Sequence, residues 1–153
     1  MLIAACGHGP ARGGGRSDSA AAVAAGNLRL PHGVMSPIQA CERIVFREPR
    51  GFFSRAERVH LVLTTYAEGE PVQSRGDIST GVPPSTLVWI VEVHARAVHW
   101  DHSVPAGAEM VSDRDYSVVM NARTGRITAA GECNCWPLPL QTVGRLVSLP
   151  ARC

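Results

Sequence analysis

The densest run of chemically capable side chains is "VHARAVHWDHS", which sets His94, His99, Asp101 and His102 within nine residues. Imidazole nitrogens and a carboxylate oxygen are the donor set that zinc or copper accepts. His99, Asp101 and His102 can share a divalent cation, with Trp100 shielding one side. Their spacing matches no metal motif. On an extended strand His99 and Asp101 share a face and His102 points away, so a shared ion needs a turn there. The bland alternative is a polar strand end where imidazoles meet solvent. These four residues are the candidate metal ligands, with zinc or copper as the candidate cofactor.

Covalent catalysis finds less support. Ser103 follows His102, but adjacency in sequence says nothing of triad geometry. The motifs GxSxG, HExxH and GxGxxG are absent. "GPARGGGRS" is glycine-rich but precedes no strong helix start, so it is a poor phosphate cradle. The net charge is +2, and all 15 basic residues are scattered arginines, which argues against nucleic acid as a partner. Arg-Gly-Asp at 75–77 reads as a loop. Trp89, Trp100 and Trp136 read as core or interface anchors. The chain therefore reads as non-catalytic.

The elements that must position these residues belong to one domain. At 153 residues, 45% apolar and 18% charged, the chain has a globular balance, and 5% aromatics imply a largely aliphatic core. No run approaches the ~20 apolar residues of a membrane helix. Residues 1–35 read as a tail and tether, and 36–153 as a single α+β domain. Ser36 and Pro37 are a helix start, with Ile38, Cys41, Ile44 and Val45 on one face and a break before Pro49. A strand is predicted over 58–64, then a short helical or turn segment near "TTYAEGEPVQ", limited by Gly69 and Pro71. "SRGDISTGVPPS" is a loop.

"TLVWIVEVHARAV" is the strongest strand. Val88, Ile90 and Glu92 point one way, and Trp89, Val91 and Val93 the other. A polar connection holding the histidines follows. "YSVVMNARTGRITAAGEC" is a hairpin whose turn uses Asn121, Thr124 and Gly125: Gly125 supplies a positive φ and Asn121 a hydrogen bond across the turn. The tail "CWPLPLQTVGRLVSLPARC", from Cys135 and with three prolines, is expected to wrap the surface.

The start, "MLIAACGHGPARGGGRSDS", raises the question of compartment. Ile3, Ala4, Ala5 and Cys6 resemble the lipobox of bacterial lipoproteins, in which cleavage precedes the cysteine and the cysteine carries the lipid. The glycine- and alanine-rich run after Cys6 has the composition of a tether. A secretory signal needs an apolar stretch of roughly 7–15 residues, so this stub is expected to be the end of a clipped signal whose start lies upstream. A secreted, unlipidated chain and an ordinary disordered N-terminus are the alternatives. The resemblance implies lipidation at Cys6, a membrane partner through that lipid, and an extracytoplasmic, envelope-anchored location.

With Cys6 set aside, Cys41, Cys133, Cys135 and Cys153 remain, an even number that invites two disulfides with three possible connectivities. A bridge between Cys133 and Cys135 is strained, so each is expected to pair outward, to Cys41 or to Cys153. A bond to Cys153 would pin a terminus that otherwise frays. Free buried thiols and a zinc site are the competing readings.

"LVWIVEVHARA" followed by "YSVVMNARTGRI" resembles the PepSY-like modules of bacterial exported proteins, and the small uncharacterised lipoproteins of actinomycetes that carry the same strand and hairpin. The match spans about residues 86–131. Asn121 stands where the family has Asp, and Arg123 where it has Lys. The resemblance implies a helix packed on a small antiparallel sheet, PepSY-like or cystatin-like. It also implies an exported, non-catalytic module that binds or inhibits a protein or peptide near the cell envelope. The alternative function is a metal-binding envelope protein using His94, His99, Asp101 and His102.

Overall fold

The chain's computed structural model describes residues 28–45, 53–74, 81–98, 113–133, 137–150 and 153. Cys6, His99, Asp101, His102 and Cys135 lie outside these residues.

Ser36 and Pro37 open the helix α1 (Pro37–Val45). The Gln39 amide donates to Ser36 Oγ at 3.2 Å, and the Ser36 amide donates to Gln39 Oε1 at 2.8 Å. This reciprocal capping box satisfies two orphan donors, and Pro37 has no N–H to leave unpaired. Pro37, Ala40, Cys41 and Ile44 form the buried face. Ile38, expected on that face, falls to its flank and is 39% exposed.

Five strands follow: β1 (Phe53–Thr65), β2 (Leu87–Val98), β3 (Asp113–Asn121), β4 (Ile127–Cys133) and β5 (Val147–Pro150). Their order in the sheet is β4-β3-β2-β1-β5, and every neighbouring pair is antiparallel. The first four form a meander. The C-terminal segment, expected to wrap the surface, instead makes a 3-10 turn at Leu140–Thr142 and returns as β5 on the free edge of β1. Pro150 is tolerated because it ends an edge strand.

Between β1 and β2 lies a second helix, α2 (Tyr66–Ser74). Gly69 and Pro71 were expected to limit helix here, yet it runs through both. Close packing on the sheet explains Gly69: a Cβ there would stand 2.7 Å from both Ile90 Cδ1 and Thr64 Cγ2. The helix start is tied to β1 by the hydroxyls of Thr65 and Thr64, which donate to Glu68 Oε2 at 2.9 and 3.0 Å. These bonds, Thr65 first, hold the Glu68 carboxyl below its ordinary value of 4.5.

Alternation along β2 divides the core as its sequence predicts. Trp89, Val91 and Val93 join Val59, Leu61, Val118 and Met120 on one face, against Ala40, Cys41 and Ile44 of α1. Val88 and Ile90 join Val62 and Val119 on the other, against Tyr66 and Val72 of α2, with Leu138 and Leu140. The fold is α+β, as expected, but the antiparallel sheet carries a helix on each face rather than one. Each fully buried aliphatic side chain contributes about 1.5–3 kcal/mol, so both layers stabilise the sheet.

Residues 28–35 also belong to this packing, so the tether does not extend to residue 35. Leu28, Leu30, Val34 and Met35 pack against the α1-side cluster. The Met35 amide donates to Ala122 O at 2.9 Å, and Trp89 Nε1 donates to Met35 O at 3.1 Å. Cys41 and Cys153 are disulfide-bonded, with Cα atoms 6.0 Å apart. Both are therefore unavailable for the outward pairing with Cys133 and Cys135 that close spacing suggested. Cys133 is the last residue of β4.

Candidate functional site

The β2 register creates a polar half on the α2 side of the sheet. His60 of β1 pairs with Glu92 of β2, Glu92 with Ser117 of β3, and His60 also with Ser148 of β5. One step along, Arg58, His94 and Asp115 form a second row. Glu92 is 1% exposed. Its Oε1 accepts the Leu138 amide at 2.7 Å, and its Oε2 lies 3.6 Å from His60 Nδ1, with no hydrogen bond among the described residues.

Ser148, His60 and Glu92 are the residue types of an acyl-transfer row. The geometry favours another role. At 3.6 Å the imidazole is beyond hydrogen-bond reach of the carboxylate that would have to orient it. The short, strong bond of Glu92 goes to the backbone of the segment entering Leu138–Leu140. Glu92 is a clamp that holds this covering segment against the sheet. Ser117 is likewise tied to α2, its Oγ accepting from Gln73 Nε2 at 3.1 Å.

Of the four candidate metal ligands, His94 alone lies among the described residues. It sits near the end of β2, partly buried, with Nδ1 2.5 Å from Asp115 Oδ1. Its Nε2 lies 3.9 Å from Glu57 Oε2. Among the described residues no three His, Cys, Asp or Glu side chains form a metal-sized group. Both ring nitrogens thus face carboxylates, Asp115 at Nδ1 and Glu57 at Nε2; a carboxylate behind one ring nitrogen is an arrangement common behind metal-bound histidines.

The turn residues do what their types predict. Asn121 Oδ1 accepts the amides of Arg123 and Thr124, each at 3.0 Å. Gly125 adopts φ +72°, and its amide donates to Asn121 O at 2.9 Å. Sequence reasoning missed what lies against this turn. Arg43 of α1, 81 residues away, donates from Nη1 to Thr124 O at 3.3 Å. A side chain at Gly125 would collide with Arg43 Nη1 and stand 2.8 Å from its Cδ and Cζ. Gly125 therefore serves both the backbone and the seating of the guanidinium.

Beside this contact opens a cleft of about 660 Å³, between residues 33–35, the Gln39, Glu42 and Arg43 side of α1, and Arg123 on the turn. One signal in the sequence marked the buried polar row: Glu92 is a lone charge in the apolar run "LVWIVEV". Nothing local marked Arg43, whose partner comes from the far end of the meander. No family model, curated protein or solved structure matches the chain.

Proposed function

We propose that the chain is an extracytoplasmic binding or structural module without catalytic activity, anchored to the bacterial cell envelope by a lipid on Cys6. Its PepSY-like unit is β2–β3–β4, and its partner is a protein or peptide. The observation that carries the compartment is the Cys41–Cys153 bridge, which ties the first helix to residue 153. Such a bridge persists in an oxidising compartment and is rare in a reducing one. The strand and the Thr-Gly hairpin support the PepSY-like reading over residues 86–131. The structural use of Glu92 and Ser117 supports a non-catalytic role.

Mass spectrometry of thiol-alkylated protein, with and without reductant, tests the compartment. The expected result for protein from its native host is that Cys41 and Cys153 alkylate only after reduction. Free thiols at both positions would overturn the export reading. Labelling with a fatty acid, in protein expressed from its own gene, tests the anchor: incorporation should vanish in Cys6→Ala.

The hydrogen bond from His94 to Asp115 favours a second reading, a metal-binding envelope protein in which His94 Nε2 joins His99, Asp101 and His102. Calorimetry with zinc and copper tests it. Saturable heat that falls at least about tenfold in affinity in Asp115→Asn supports it, in line with the 10–100-fold effects of removing such outer partners. No heat from either metal ends it.

A further inference from the structure

We infer that the cleft between α1 and the β3–β4 turn binds an oxyanion, a phosphate or carboxylate group carried on a small polar ligand, through Arg43 and Arg123. This deepens the binding-module reading and rests on it.

Among the described residues, two guanidinium groups line this cleft with a single carboxylate, Glu42. Neither Arg43 nor Arg123 is ion-paired among the described residues. Arginine on a surface usually finds a neighbouring carboxylate or projects into solvent. Here Arg43 is instead anchored to a backbone carbonyl, with no carboxylate partner among the described residues. Arg43 is half-buried, anchored by one N–H to the Thr124 carbonyl and laid over a glycine that leaves room for it. A guanidinium has five N–H donors, so a single bond to a carbonyl leaves most of the fork available. Holding that fork in place before the ligand arrives removes part of the ordering cost of binding.

Arg123 is presented by the hydrogen-bonded turn of the hairpin. Its own amide is fixed by Asn121 Oδ1, so its Cα direction is set even though its side chain is exposed. The turn therefore seats one arginine and projects the other. A cleft of about 660 Å³ is within the range of small-molecule sites. Paired forks favour planar or tetrahedral oxygen groups that accept two parallel bonds. Glu42 on the same wall opposes a bare polyanion and favours a ligand with hydrogen-bond donors beside its anionic group.

The test is an amide and arginine side-chain NMR titration of the oxidised protein, with inorganic phosphate in one arm and citrate in the other. Saturable shifts centred on Thr124, Gly125 and the Arg43 side chain are expected. Arg123→Gln should weaken binding about tenfold, the loss expected for one charge-assisted bond. Glu42→Gln should strengthen it. Arg58→Gln, on the sheet away from the cleft, should leave it unchanged. Arg123 is exposed, so its variant keeps the test informative even if Arg43→Gln disturbs the turn. Binding in the phosphate arm alone assigns a phosphate ligand, and in the citrate arm alone a carboxylate. No saturable shift in either arm, or equal weakening by Arg58→Gln, overturns the inference. The thiol measurement is independent of this outcome, so failure here is distinguishable from failure of the export reading.

Discussion

Replacing Cys41 and Cys153 by alanine will lower the free energy of unfolding by about 3–5 kcal/mol. The bridge spans 112 residues of chain, and for loops of this order the chain-entropy account gives nearly 5 kcal/mol. Residual structure in the unfolded chain reduces the measured figure. Against a typical total of about 5–15 kcal/mol, the loss is a large share of the domain's stability. The location strengthens the expectation. β5 pairs with β1 only along Arg58–Leu61, and Cys153 lies just beyond it. Without the bridge, this four-residue edge strand is held by its own ladder and by Val147 and Leu149 alone. Urea denaturation with and without reductant reads the effect. The wild type in reductant should unfold near the midpoint of the double variant. Amides of β5 should exchange by local opening well before those of β2. An unchanged midpoint would mean that the bridge constrains nothing the chain does not already constrain.

How far the fold was legible follows from where each element's stability originates. β2 was legible because its near-continuous run of β-branched and aromatic residues suits a strand buried on both faces, and the pleat sends alternate residues to opposite layers. The hairpin was legible because Asn121 and Gly125 satisfy requirements internal to the turn. α1 announced itself through Ser36 and Pro37. The α2 helix resisted reading because Gly69 and Pro71 are poor helix formers, and the reason for Gly69, contact with Ile90 and Thr64, is tertiary. β5 and residues 28–35 read as tail in the sequence because both are short and each is broken by a proline, Pro150 and Pro31. Both owe their order to surfaces made elsewhere in the chain.

The same division holds for the sites. His94 stood out by type, yet its partner Asp115 is supplied by the neighbouring strand. Asn121, Thr124 and Gly125 were legible as a turn, but the cleft needs Arg43 delivered by α1. Local chemistry is written in local sequence; a cleft is written in packing, and packing brings together residues that no short window contains.

Trp89→Ala will cost about 3–5 kcal/mol, and Trp89→Phe about 1–2 kcal/mol. Trp89 is fully buried, at 0% exposed. It pairs with Leu63 on one side and Met120 on the other, in the centre of the sheet. Its indole contributes on two scales. The rings fill the space beneath α1, and truncation to alanine leaves a cavity that neighbouring strands cannot close without breaking register. The N–H donates to Met35 O, which ties residues 28–35 to the domain. Phenylalanine keeps most of the volume and deletes that bond, whose net worth is about 0.5–1.5 kcal/mol. Packing therefore outweighs the hydrogen bond, and the two variants separate the contributions. Chemical denaturation gives the totals, and hydrogen exchange locates them. In Trp89→Phe the Met35 amide, bonded to Ala122 O, should exchange faster while the amides at the centre of β2 hold their protection. Equal loosening of both would show that the indole N–H stabilises the sheet as a whole and does not act as a local clamp on the segment that forms one wall of the Arg43–Arg123 cleft.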